Sequence, residues 1–240
     1  MDEGARRIAT MLAATIDERG GAHWCVTGGS TAIGMYRSLA NAPLRDAVKW
    51  GAVHVWWGDD RYVPRGHPLS NVTAFDDILL GPTGVPIPAD QLHPFRTSEA
   101  IGRSRSAAWC AAQLTGELRL AGLSAVGGWP VFDVLTLGMG GDGHVLSVFP
   151  DSPAFDSLEL AVAVPAPTHI EPRVERVTLN PAIVTVAHRL VVVAVGPEKA
   201  AVLADVFGQV RAPARWPAQL ARREGATWFL DRAAAARLQP

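Results

Sequence analysis

FDVLTLGMGGDGHVLSVFP, residues 132–150, decides how the rest of the chain is read. It begins as an apolar run rich in valine and leucine, the pattern of a strand buried on both faces. It then breaks into Gly138, Gly140, Gly141 and Gly143 within six positions. Glycine at that density lets the backbone take positive φ and approach a ligand closely. Asp142 and His144 stand inside the run, at the carboxyl end of the predicted strand, where open α/β sheets place their ligand sites. Alone, the segment also fits a strand-to-helix turn whose Asp caps the helix and whose His packs.

Outward from this stretch the same order recurs. On the amino side, a short strand at His23–Thr27 runs into Gly28-Gly29-Ser30-Thr31 and a helix over Ala32–Asn41. Strand, glycines, hydroxyls and helix make an anion nest, with amide N–H groups converging at a positive helix end. A second strand, Ala52–Trp57, ends in Gly58-Asp59-Asp60-Arg61 and a loop to Ser70 broken by Pro64, Gly66 and Pro68, before a helix over Asn71–Leu80. On the carboxyl side, a strand at Glu159–Val164 leads to a loop, Pro165–Arg176, that carries His169, Glu171, Arg173 and Glu175. A brief strand at Val177–Leu179 and a helix at Pro181–Val186 behind a capping Asn180 come next. Arg189–Val195, the most continuous β-branched run, ends in Gly196-Pro197-Glu198-Lys199 and a helix over Ala200–Phe207. Lys199 then falls in a first helical turn, where a cation is unfavourable unless an anion is held there.

The flanks supply cover. Asp2–Arg19 spaces Ile8, Met11, Leu12 and Ile16 as an amphipathic helix, and Ser98–Leu120 reads as one long helix. Pro213–Glu224 is a predicted helix, Thr227–Leu230 a last strand, and the alanine-rich end a final helix. Alternation of buried strands with helices predicts an α/β fold: one domain over 1–240, with a doubly wound, mostly parallel, Rossmann-like sheet and helices on both faces. In such a sheet the polar segments after the strands converge on one edge.

Composition narrows the function. The chain has 240 residues, 48% of them apolar and 19% charged, and a net charge of -1, which gives no electrostatic reason to expect nucleic acid or an anionic membrane. Cys25 falls in a predicted buried strand and Cys110 in a predicted helix, without metal-like spacing. With no signal-peptide pattern and no apolar run approaching the ~20 residues of a membrane span, the expectation is a reduced, cytoplasmic setting.

Three separated motifs together resemble the 6-phosphogluconolactonase family. Its S-G-G-S-T-P is matched by Thr27-Gly28-Gly29-Ser30-Thr31-Ala32, and its W-G-D-E-R-x-V-P by Trp57-Gly58-Asp59-Asp60-Arg61-Tyr62-Val63-Pro64, followed by His67 and Ser70-Asn71. The third, L-G-M-G-x-D-G-H-x-x-S-x-F-P, is matched almost without a break from Leu137 to Pro150. Weaker matches cover Arg176-Val177-Thr178-Leu179 and Gly196-Pro197-Glu198-Lys199-Ala200. Ala32 replaces the family's proline, Asp60 its glutamate, and Glu171 a frequent lysine, so no binding role is carried to Glu171. The family's additional strand before the first helix has no counterpart here; either this sheet edge lacks it or the start is set too late.

The resemblance implies hydrolysis of 6-phospho-D-glucono-1,5-lactone to 6-phosphogluconate, the second step of the oxidative pentose phosphate pathway, by a monomer needing no cofactor or metal. Lactone hydrolysis needs a base to activate water, stabilisation of an oxyanion and an acid for the departing ring oxygen. A free imidazole changes charge near ~6.5, which suits both tasks, so His144 can serve as base and then acid. Asp142 either orients that ring, positions the water, or caps the turn. Gly29, Ser30 and Thr31 offer amide and hydroxyl donors to the substrate, Arg61, Arg176 and Lys199 positive charge, and Asp59, Asp60 and Asn71 complete the candidate binding set.

Two other readings remain. A glucosamine-6-phosphate deaminase shares the glycine turn and the D-G-H motif, but its pattern carries a glutamate just before the proline, where Phe149 stands here. A catalytically silent sugar-phosphate sensor on the same fold would not need the Asp142 and His144 pair. Dinucleotide binding is disfavoured, because Gly28-Gly29-Ser30 lacks the third glycine of that fingerprint.

Overall fold

The computed structural model describes residues 2–238. Its strands are β1 (Ala22–Val26), β2 (Val53–Trp57), β3 (Asp59–Arg61), β4 (Leu92–His93), β5 (Ala125–Val126), β6 (Trp129–Pro130), β7 (Val134–Gly138), β8 (Ala161–Val164), β9 (Arg176–Leu179), β10 (Arg189–Ala194) and β11 (Ala226–Leu230). The helices are α1 (Asp2–Arg19), α2 (Gly29–Leu39), α3 (Asn71–Leu79), α4 (Thr97–Gly102), α5 (Ala107–Leu120), α6 (Ile183–Val186) and α7 (Ala200–Phe207).

Six strands form the main sheet in the order β11-β10-β7-β1-β2-β4, and every neighbouring pair is parallel. Parallel strands need crossovers that cover the sheet, so the central strands are apolar without alternation; Val191, Val192 and Val193 are all buried. On one face, under the neighbouring helices α1, α2 and α3, Trp24, Tyr36, Trp57 and Phe75 pack edge to face. Strand alternation sends His23, His54 and Trp56 to the other face. From β1 the chain builds outward through β2 and β4 on one side, and through β7, β10 and β11 on the other. The connections therefore diverge at the β1/β7 boundary, and the crevice they leave is where a doubly wound sheet takes its ligand.

A second sheet, β3-β9-β8, is antiparallel and was not expected. Gly58 N–H closes the parallel ladder on Val26 O at 3.0 Å, while its carbonyl accepts from Leu179 N at 2.8 Å. Asp59-Asp60-Arg61, read as a polar segment just past the end of β2, thereby becomes a strand whose backbone is satisfied by β9, tertiary pairing overriding poor intrinsic propensity. A β5-β6 hairpin completes the strands.

Other expectations change for local reasons. The helix foreseen over Ser98–Leu120 is interrupted at Arg103–Ser106, where Ser104 takes φ +51° and the Ser106 hydroxyl accepts from Trp109 N at 3.2 Å, capping α5 afresh. The Pro213–Glu224 helix shrinks to a 3₁₀ turn over Pro217–Ala221, because the fully buried Gln219 side chain accepts from Ala212 N and donates to Val210 O instead. The alanine-rich end is a 3₁₀ turn, Ala234–Arg237. Helix α2 starts at Gly29, bringing Ser30 and Thr31 into its first turn. Among the described residues no helix is long and apolar enough to cross a membrane.

Candidate active site

Beyond the carboxyl end of β7 the chain does not enter a helix, so the strand-to-helix reading of the glycine run fails. Instead Asp142 folds back on its own loop: Oδ1 accepts from His144 N at 3.1 Å and from His144 Nδ1 at 2.6 Å. The pair lies directly over Gly140, where any Cβ would strike His144 Nδ1 and Asp142 Oδ1. Glycine is required there by space, not by dihedral angle. His144 keeps 20% of its side chain exposed and lines a cleft of about 210 Å³. That volume lies below the roughly 300–1,000 Å³ of drug-sized sites, which favours a monosaccharide-sized ligand over a dinucleotide.

The opposite wall is built by α2. Its N-cap, Gly28, is extended and makes no side-chain cap, so the first-turn N–H groups at Gly29, Ser30 and Thr31 lie open beside the cleft. Gly28 also lacks a Cβ because the Asn71 side chain passes over it. Asn71, the first residue of α3, accepts from Arg61 Nη1 at 2.8 Å and donates to Asp59 O at 2.9 Å. A chain of three residues thus aims one guanidinium.

Arg61 and Arg176 are direct partners across the β3–β9 ladder. Like charges so placed are unfavourable in a bare sheet. Their hydrogen-bond partners are neutral: Arg61 donates to Leu69 O and Asn71 Oδ1, Arg176 to Pro172 O and Val174 O. Among the described residues neither has a carboxylate within 4.0 Å. Burial lowers the Arg176 pKa, as does the charge of Arg61, against smaller upward pulls from Asp59 and Asp60. The two guanidinium groups therefore reach the cleft without a paired carboxylate, an arrangement suited to an anion. Lys199 reaches the same cleft from the end of β10, 17% exposed and 3.7 Å from Glu198.

Of the candidates, Gly29, Ser30, Thr31, Asp59, Arg61, Asn71, His144, Arg176 and Lys199 line this one cleft. Asp142 stands behind His144 rather than in the cleft. Asp59 is buried and holds Ser147 Oγ at 2.6 Å, so its carboxylate is committed to the scaffold. Asp60 corrects the sequence reading: it is fully buried and away from the cleft. Its oxygens accept from Asn71 N, Arg61 N and Ser70 Oγ, bracing β3 against α3. Burial pushes its pKa up to about 7, although the Asn71 and Arg61 amides and the Ser70 hydroxyl pull it down.

Two groups escaped the sequence reading. Glu198 lines the cleft beside Lys199. His169, from the loop between β8 and β9, donates to Asp142 Oδ2 at 2.8 Å. Burial alone would raise the Asp142 carboxyl, but His144 and His169 outweigh it and hold it well below the usual carboxylate range. Among the described residues no cluster of three or more ligating side chains is arranged for a metal ion. Both cysteines are buried, and burial pushes the Cys110 thiol up to about 12, which fits packing residues.

Known proteins resemble this chain over nearly its whole length. A sequence model of glucosamine-6-phosphate isomerases/6-phosphogluconolactonase matches residues 1–229. The chain is 34% identical to a 6-phosphogluconolactonase of Streptomyces coelicolor, over 99% of this chain and 90% of that protein. It is likewise 34% identical to one of Mycobacterium tuberculosis, over 97% and 92%. The solved 6-phosphogluconolactonase of Trypanosoma cruzi superposes with a TM-score of 0.86 at 26% identity, over 98% and 91%. With the model match spanning nearly the whole chain, this protein belongs to the glucosamine-6-phosphate isomerase/6-phosphogluconolactonase family.

Proposed function

We propose that this chain hydrolyses 6-phospho-D-glucono-1,5-lactone to 6-phosphogluconate. The observation that carries the reading is His144, tied to Asp142 through Nδ1 and facing a cleft that also receives Arg61, Arg176 and Lys199. With its proton on Nδ1, His144 has Nε2 free to accept one. Water attacks the lactone carbonyl carbon as Nε2 takes its proton, and the carbonyl pair moves onto oxygen. That oxyanion collapses, the bond to the ring oxygen breaks, and the His144 imidazolium protonates the departing oxygen to a hydroxyl. Arg61, Arg176 and the open N-terminus of α2 anchor the phosphoryl end, and Lys199 adds charge from the β10 side.

Phe149 favours hydrolysis over deamination. Its ring lies 4.7 Å from the His144 ring, and a phenyl group can neither ionise nor accept a proton. We extend the reading to one catalytic domain acting as a cytosolic monomer on a free sugar phosphate, in keeping with the net charge of -1.

The test follows 6-phosphogluconate formation from freshly generated lactone, with spontaneous hydrolysis subtracted, beside ammonia release from glucosamine 6-phosphate. Only the first activity is expected. His144→Ala should lower it by roughly 10²–10⁴-fold. Ammonia release, or a wild-type rate in His144→Ala, would overturn the proposal.

A further inference from the structure

Asp142 is gripped from two sides. His144 Nδ1 meets Oδ1 at 2.6 Å, and His169 Nε2 meets Oδ2 at 2.8 Å. A carboxylate held by one oxygen still swings about its last torsion, which is broad and shallow. Held by both, its plane is fixed, and with it the orientation and tautomer of the imidazole that donates to Oδ1. His169 does not line the cleft, and 49% of its side chain is exposed, so it works through Asp142 rather than on a ligand. The Phe149 ring steadies the arrangement: it stands edge-on to His169 at 5.9 Å, with the Arg176 guanidinium 5.8 Å from its centroid.

We infer that His169 is a positioning residue for the reaction, locking Asp142 so that His144 presents its free nitrogen to the lactone; the inference rests on the lactonase reading above. Arg176 faces this cluster across Phe149, while Arg61, Lys199 and Glu198 face it from the cleft. Glu171 and Arg173, on the His169 loop, pair with each other at 3.0 Å. Removing the His169 donor leaves Asp142 a stronger partner for a charged His144, which raises the pH at which His144 loses its proton.

Wild type, His169→Ala and His169→Gln are compared by initial rates on fresh lactone from about pH 5 to 8, and by NMR titration of the His144 ring. In His169→Ala, kcat falls about fivefold with KM within about twofold. The acid limb of kcat/KM and the NMR midpoint of His144 rise together by about half a pH unit. His169→Gln, which keeps an amide donor for Oδ2, restores both. A His169→Ala enzyme whose kcat and acid limb superimpose on wild type overturns the inference, as does a loss that glutamine fails to restore. Should His144→Ala stay fully active, the lactonase mechanism falls instead, and the NMR midpoint still tests the His169–Asp142 contact on its own.

Discussion

His144 and His169 close on the two oxygens of Asp142 beyond the end of β7, whereas His23, His54 and His93 stack on one another across β1, β2 and β4. In the first group each imidazole donates to a carboxylate. In the second, His54 Nδ1 and His93 Nε2 share a hydrogen bond at 3.1 Å, His23 Nδ1 accepts from Trp56 Nε1, and the Trp56 ring lies 3.9 Å from that of His93. The carboxylate nearest His93, Glu117, is 4.0 Å away and already held by Arg96 at 2.6 Å. Burial pushes His93 down to about 4, helped by the charges of His54 and His23 and opposed by Asp90. The same side chain is thus tied to a carboxylate at one place and a flat packing element at the other. What decides is the partner: an acid on one side, other rings and an indole on the other.

Gly140→Ala should separate the two groups most sharply. The added methyl displaces His144 from Asp142, and a shift of about 1 Å at a reacting group costs roughly 10²-fold in rate. Steady-state kinetics should show that loss while the melting temperature stays near wild type. On the proposed reading Arg176→Ala weakens anion binding: KM should rise about tenfold with a smaller change in kcat, because one charged hydrogen-bonding partner of the phosphoryl group would be gone. An equal fall in kcat would mean that Arg176 acts on the transition state.

His93→Gln should leave turnover untouched and alter only how stability follows pH. The folded protein resists protonating His93, while the unfolded chain protonates it near ~6.5. Its share of stability is therefore complete above that pH and is lost as pH falls towards about 4. Urea unfolding at several pH values should show wild type losing on the order of 2 kcal/mol more than the variant over this window. Parallel slopes would mean that the stacked histidines already carry protons.

The turns were legible in the sequence because their signals are local. Gly28 to Thr31 and Gly138 to His144 announce themselves by composition after apolar runs, and the convergence of Lys199 follows from strand order alone. What stayed hidden depends on distant pairing. Asp59-Asp60-Arg61 has no strand pattern, and its partner lies over a hundred positions away at Arg176 to Thr178. Nothing in the sequence separates Asp59, at the cleft, from Asp60, sealed beneath α3. His169 sits in a loop without periodicity, so only the folded chain brings it to Asp142. The break before Ser106 does have a local sign, a serine placed to cap the start of α5.

The facing of Arg61 and Arg176 makes spacing along β9 as consequential as residue identity. Side chains on a strand alternate between its faces, so a codon gained or lost just after Arg176 would turn that guanidinium away from its neighbour. The encoded protein would keep Asp142, His144 and an intact parallel sheet, yet its cleft would have surrendered half of its paired charge.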